Sequence, residues 1–197
     1  AFVNEGERQI GLEYKDYDYN FKIYSGLEDT SDEVINNIRN MDKIEKIYTL
    51  YTNNEYIKIT DMSKVNTSRI ETEQLATNDK NEKYMGIQLI ALDNNTFKEY
   101  AKKLNLDYEN IKEKGILLDE YNFYDEENNK AIVDRTYLFK NGDTISGKYG
   151  HEEKQVNIEI AKVTNIRAYG LESIYYEGGY LIVNKEYYND YNLIHYS

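Results

Sequence analysis

The chain has 197 residues and a formal net charge of −12, with 36 acidic side chains against 24 Lys and Arg. At this length a chain buries about 70% of the surface its unfolded form exposes, so it needs no disulfide or metal to fold. The lack of Cys excludes thiol chemistry and thiolate metal sites, and the acidity argues against a nucleic-acid or anionic-membrane surface, which needs clustered cations.

Tyr dominates the aromatic residues, with 22 copies against no Trp and no Pro. Codon usage in an A/T-rich genome accounts for this. So does a contact surface, because the Tyr ring is apolar and its tip polar. No run approaches the ~18 apolar residues that span a bilayer, and no secretory signal is visible. The start Ala1-Phe-Val-Asn lacks an initiator Met and reads as a cut within a longer chain or as a processed end.

In chain order, residues 19–24 alternate Tyr, Phe and Ile with Asn and Lys and predict a first strand. Thr30 or Ser31 caps a helix whose apolar stripe is Val34, Ile35, Ile38 and Met41, with Asp32 and Glu33 at its dipole-favoured start. Residues 44–52 and 55–60 predict a hairpin turning at Asn53-Asn54. The polar stretch 63–82 predicts a mobile loop or short helix. Residues 84–92, the most apolar run, predict a central strand. Asn94-Asn95-Thr96 then starts a helix with Phe97, Tyr100, Ala101 and Leu104 on one face. A helical patch at 108–114 leads to a strand at 115–118, and residues 119–130 form an acidic, aromatic connection. Residues 136–139, 144–149 and 155–166 predict a meander. A last strand at 181–184 is followed by a short helix, and residues 193–197 look like the opening of a further strand.

Few constellations suggest chemistry. Asp16-x-Asp18-x-Asn20 opens like a calcium loop, but Phe21 stands where Gly is needed and Leu27 where Glu is needed. His151 and His195 are the only histidines, with no zinc-motif spacing, and Ser146-Gly147 has no convincing His partner. No phosphate-binding Gly motif occurs, so no cofactor is expected. Asn141-Gly142-Asp143 between strand-like flanks predicts a hairpin turn, with Gly supplying positive φ and Asp bonding backbone amides. Asp119, Glu120, Asp125, Glu126 and Glu127 form an acidic cluster with Tyr121, Phe123 and Tyr124 interleaved. A solvated loop is one reading. A contact for a cationic partner, shared with Tyr175 and Tyr176, is the other.

The order Tyr137-Leu-Phe-Lys-Asn-Gly-Asp-Thr-Ile145, then a long strand-like run, then Gly178-Gly179-Tyr180-Leu-Ile-Val183, resembles the extracytoplasmic domain of FtsX-like, MacB-type ABC transporter permeases. The resemblance implies an α+β fold: a mixed α/β membrane-proximal lobe (residues 19–92 and 181–197) with an inserted β-rich lobe (93–180). It implies a non-catalytic domain on the extracytoplasmic face of the cell membrane. Its partners are the rest of the permease, an ABC ATPase subunit carrying out any ATP hydrolysis, and a peptide, lipid or surface-protein ligand. Two alternatives remain open: a stand-alone cell-surface solute- or peptide-binding module, and a hydrolase whose residues the sequence does not bring together.

Overall fold

Strand patterning decides this fold. The computed structural model describes residues 32–42, 46–53, 55–125, 127–169, 171, 178–191 and 194–195. In chain order these form α1 (Asp32–Arg39), β1 (Leu50–Thr52), β2 (Tyr56–Ile59), β3 (Ala76–Thr77) and β4 (Lys83–Leu92). Next come α2 (Asn94–Lys103), α3 (Tyr108–Ile111), β5 (Gly115–Leu118), β6 (Tyr121–Asp125) and β7 (Lys130–Asp134). The last elements are β8 (Thr144–Tyr149), β9 (Lys154–Thr164), β10 (Gly179–Asn184) and β11 (Ile194–His195). The expected strand at 19–24, the caps Thr30 and Ser31 and the Asp16–Asn20 motif lie outside the described residues.

Six strands close on themselves in the order β4, β2, β8, β9, β5, β10 and back to β4. The β9–β5 and β10–β4 ladders are parallel and the other four antiparallel. Every barrel strand contributes to one buried cluster: Ile57 and Ile59, Ile87 and Leu89, Ile145, Ile158 and Ile160, Leu117, Leu181 and Val183. Those residues recur at every second position, as one face of a strand requires. A Cβ at Gly147 would lie 2.6 Å from the Lys58 carbonyl oxygen, and one at Gly115 would lie 2.5 Å from a Leu181 methyl. Glycine is what lets these strands approach so closely.

A second cluster lies on the other face of β4, β5 and β10. Ile90, Leu92, Ile116, Leu118 and Ile182 pack there against Phe97, Tyr100, Ala101 and Leu104 of α2 and Ile111 of α3. These three strands are therefore covered on both sides. Their sequences run Leu-Ile-Ala-Leu, Ile-Leu-Leu and Leu-Ile-Val without alternation, as doubly buried strands do. β8 and β9 keep the alternation of strands with one solvated face.

The α+β expectation of a mixed lobe with a β-rich insertion is overturned. Strand outweighs helix, 39% to 20%, and a single closed barrel holds the fold together. Segments expected in separate lobes are joined in one sheet: β10 pairs with β5, and β2 with β8. Propensity along the chain locates these segments but carries no information on which of them pair.

Several local readings hold. β4 is central, bonded to β1, β2, β3 and β10. Helix α2 begins one residue after Asp93, whose carboxylate accepts from the Asn95 and Thr96 amides at 2.9 and 3.1 Å, and its predicted stripe is buried. Others are corrected. Asn53-Asn54 does not reverse the chain, because β1 and β2 both run antiparallel to β4 and hence in the same direction. Between them the register along β4 slips by two residues, so this is an interrupted strand. Residues 63–82 form two 3-10 turns and β3, anchored by buried Val65 and Ile70. Met41 lies past the end of α1 and is exposed. Residues 136–139 form no strand. Tyr137 makes one bridge, to Val65. Among the described residues no helix is long and apolar enough to cross a membrane.

Candidate functional site: the cleft at the root of the two-stranded ribbon

Between β5 and β8 the chain leaves the barrel as a separate two-stranded ribbon, β6 paired with β7 from Tyr121↔Asp134 to Asp125↔Lys130. Its tip turns at Asn129, which adopts a φ of +49°. Asp125 holds that turn, accepting from the Asn128 amide at 3.2 Å and its side-chain nitrogen at 2.8 Å. The acidic connection read at 119–130 is therefore largely strand. The Tyr121 to Phe123 alternation carried that signal, and the carboxylates around it masked it.

At the root of the ribbon lies an open cleft of about 690 Å³. Asp119 and Glu120 line it where the chain departs, and Val133, Asp134 and Arg135 where it returns. Phe139, Lys140 and Asn141 and the end of β9, Val163 to Asn165, complete it. Asp119 organises this site. Its side chain has no exposed surface, and its two oxygens accept from the Thr136 amide at 2.8 Å, the Tyr137 amide at 2.9 Å and Arg135 Nε at 3.4 Å. Its own amide donates to the Thr164 carbonyl at 3.1 Å. Burial pushes its carboxyl up from the ordinary value, against the opposing pull of the two amides and Arg135.

Arg135 reaches on to the Phe139 carbonyl at 2.6 Å. Asn66 fixes the same segment from the opposite side, donating to the carbonyls of Arg135 at 2.8 Å and Thr136 at 2.9 Å. Arg69 pairs with Asp134 at 3.1 Å, and the Arg135 amide, assisted by Arg69, holds that carboxyl below its ordinary value. Beyond, the Lys140-Asn-Gly-Asp143 turn closes with an Asp143 amide to Lys140 carbonyl bond of 3.1 Å. Gly142 takes a φ of +86° while Asn141 does not take positive φ, which is the type II requirement. Asp143 bonds the Lys140 amide and Lys64 Nζ, both at 3.1 Å. The backbone roles expected of Gly142 and Asp143 are present. The hairpin is not, since the turn joins β8 to an irregular segment. The Asn141 side chain instead accepts from the Val163 amide at 2.8 Å.

Of the residues singled out in the sequence, Asp119 is committed to the cleft wall, and Tyr121, Phe123 and Tyr124 lie along β6. Asp125 ends β6, and Glu127 is exposed at the tip. Glu126, Tyr175 and Tyr176 lie outside the described residues. Arg135, Phe139 and the end of β9 were not anticipated, because only the fold brings 119, 135 and 164 together. His151 is solvent-exposed beside Glu55, and the Ser146 hydroxyl bonds Asn157 across the β8–β9 ladder at 2.9 Å. Among the described residues no group of three or more His, Asp or Glu is placed to hold a metal ion.

No family model matches the chain, and neither a curated protein nor a solved structure matches it.

Proposed function

We propose that this chain is a contact module of the extracytoplasmic face, which binds or transmits and does not transform a substrate. The observation that carries this is the use made of the charged groups at the cleft. Asp119 is consumed in holding three consecutive residues, Asp134 pairs with Arg69, and Arg135 is tied to Asp119 and Phe139. A rigid barrel presenting a ribbon and an open cleft suits recognition. In the permease reading the module belongs to an FtsX-like transporter, and an ABC ATPase on the other side of the membrane supplies the work. The closed barrel favours a second reading, a stand-alone surface module for a solute or peptide, because the permease resemblance implies a different architecture.

The absence of Cys makes a clean test available. Glu127→Cys, at an exposed position, introduces a single thiol into this segment of the intact gene product. In whole cells a membrane-impermeant maleimide is expected to label it as fast as in lysed cells. Labelling only after lysis overturns the extracytoplasmic placement. Co-purification of the intact product with an ABC ATPase then separates the permease reading from the stand-alone one.

A further inference from the structure

Asn141-Gly142 is the chain's single Asn-Gly pair, and it sits in the turn that enters β8. Such a pair carries its own chemistry. A Gly amide nitrogen, with no side chain in the way, can attack the carbonyl of the preceding Asn side chain and close a five-membered imide. Here both reacting groups are held. The Gly142 amide donates to the Ile160 carbonyl at 2.8 Å, and Asn141 Oδ1 accepts from the Val163 amide at 2.8 Å. A third bond, from the Ile160 amide to the Asp143 carbonyl at 2.8 Å, completes the attachment of the turn to β9. The Val163 amide polarises the carbonyl that would be attacked, so it is the nucleophile that is withheld. Ring closure needs the Gly142 nitrogen to eclipse the Asn141 Cβ about the Cα–C bond, and a type II turn puts it far from there. Asn141 and Gly142 are both solvent-exposed, so the water that the reaction consumes is at hand.

We propose that Asn141 is a deamidation site gated by this turn: inert while the turn is bonded to β9, reactive when it opens, and unable to close again once isoaspartate has formed. In the open turn the Gly142 nitrogen gives up its proton and bonds to Asn141 Cγ. The Cγ–Nδ2 bond breaks, and the nitrogen leaves as ammonia with that proton. Water then opens the imide, and nothing is oxidised or reduced. Addition at Cγ gives aspartate. Addition at the backbone carbonyl gives isoaspartate, with the main chain rerouted through Cβ and Cγ. That chain is one methylene longer, so the Gly142 amide no longer meets Ile160. Either product sets a new carboxylate on the cleft wall, which Asn141 lines beside Lys140. Exposed turns open more readily than a barrel core, so the modification records local opening of the cleft. It stands apart from the contact-module reading.

The test ages the full chain in mildly alkaline buffer and, in parallel, in urea that unfolds it. Peptide mass mapping reads conversion at Asn141, and isoaspartyl methyltransferase labelling separates isoaspartate from aspartate. Conversion in urea should be at least tenfold faster than in buffer, and faster at Asn141 than at any other Asn. Asp143→Ala removes the acceptor of the Lys140 amide and of Lys64 without touching the reacting atoms. It should convert faster than the parent in buffer and equally fast in urea. Conversion in buffer should rise in step with hydrogen exchange at the Gly142 amide. The isoaspartate form should lose protection of that amide and melt lower than the parent. Asn141→Asp keeps an acceptor for the Val163 amide and should retain both. Equal rates in buffer and urea, no conversion in urea, conversion that does not follow Gly142 exchange, or a protected Gly142 amide in the isoaspartate form would each overturn the proposal. If Asp143→Ala does not fold, the parent's two rates decide alone.

Discussion

Two glycines make opposite demands on the residue that replaces them. At Gly142 a Cβ meets nothing within 4 Å, but φ is +86°. Gly142→Val should cost about 1–2 kcal/mol from backbone strain alone. At Gly147 the conformation is ordinary and the space is missing, because the Lys58 carbonyl is in the way. Gly147→Ala should therefore cost about 2–3 kcal/mol, since two barrel strands must part. Urea midpoints for both variants check the order, and equal stability of Gly142→Val and the parent protein removes the strain argument. Asp119→Ala leaves buried donors at Thr136 and Tyr137 without an acceptor, at about 2–3 kcal/mol. It should also loosen residues 134–139 in hydrogen exchange more than it loosens β4. Four phenols set an alkaline limit. Burial raises Tyr100 and Tyr137 well above the ordinary phenol value and Tyr149 and Tyr188 to about 12. Because these folded-state values are raised, the stabilisation is complete below pH ~10, where the unfolded chain's phenols ionise. It is lost as pH climbs from ~10 through 12, by up to ~1.4 kcal/mol per pH unit for each buried phenol. Denaturation midpoints from pH 8 to 12 should fall accordingly, and Tyr100→Phe should flatten the fall. A midpoint that holds steady to pH 12 contradicts the burial of these rings.

At the scale of elements, the barrel and the ribbon are separable. None of the six barrel strands lies between Tyr121 and Asp134, and those two residues face each other across the ribbon's root. Replacing residues 122–133 by Asn-Gly should leave a cooperative thermal transition and a β-type circular dichroism spectrum. Collapse of the fold on that deletion would show that the ribbon is part of the barrel's core. Helix α2 behaves in the reverse way. Phe97, Tyr100 and Leu104 close the outer face of β4, β5 and β10, and the Tyr100 hydroxyl bonds the Ile166 carbonyl at 2.6 Å. Phe97→Ala should cost about 3–5 kcal/mol, read as a fall of roughly 6–20 °C in melting temperature. Helix α2 and strands β4, β5 and β10 were legible because each carries enough apolar residues at one period to decide its type. β6, β7 and the interrupted β1–β2 strand were not. Asn pairs mark breaks in a strand as well as reversals, and only the neighbouring strand tells which.

At the scale of the molecule, closure depends on distant partners. β4 pairs in parallel with β10, Ile87 opposite Gly179, so the barrel is complete only when segments about 90 residues apart in the chain meet. Such non-local pairing is slow, and refolding in milliseconds to seconds is expected. No phase of tens of seconds should follow, since there is no Pro to isomerise. A slow phase that depends on protein concentration would point to association, and one that does not would point to mispaired strands. The circular dichroism signal should also be indifferent to chelators, as the packing of two apolar clusters supplies the stability.

The sequence alone determined that β4, β5, β8, β9 and β10 are strands and α2 a helix, which face of α2 is apolar, and that Gly142 and Asp143 build a turn. These follow from interactions between residues a few positions apart. Only the tertiary structure decided that β4, β5 and β10 form a continuous ladder with β2, β8 and β9. It alone decided that Asp119 faces inward, and that Arg135, Phe139 and Thr164 share a cleft with it. A carboxylate between an apolar strand and an acidic stretch reads as solvated. It becomes a buried clasp only because the returning chain brings three donors to it, and no local pattern encodes that return.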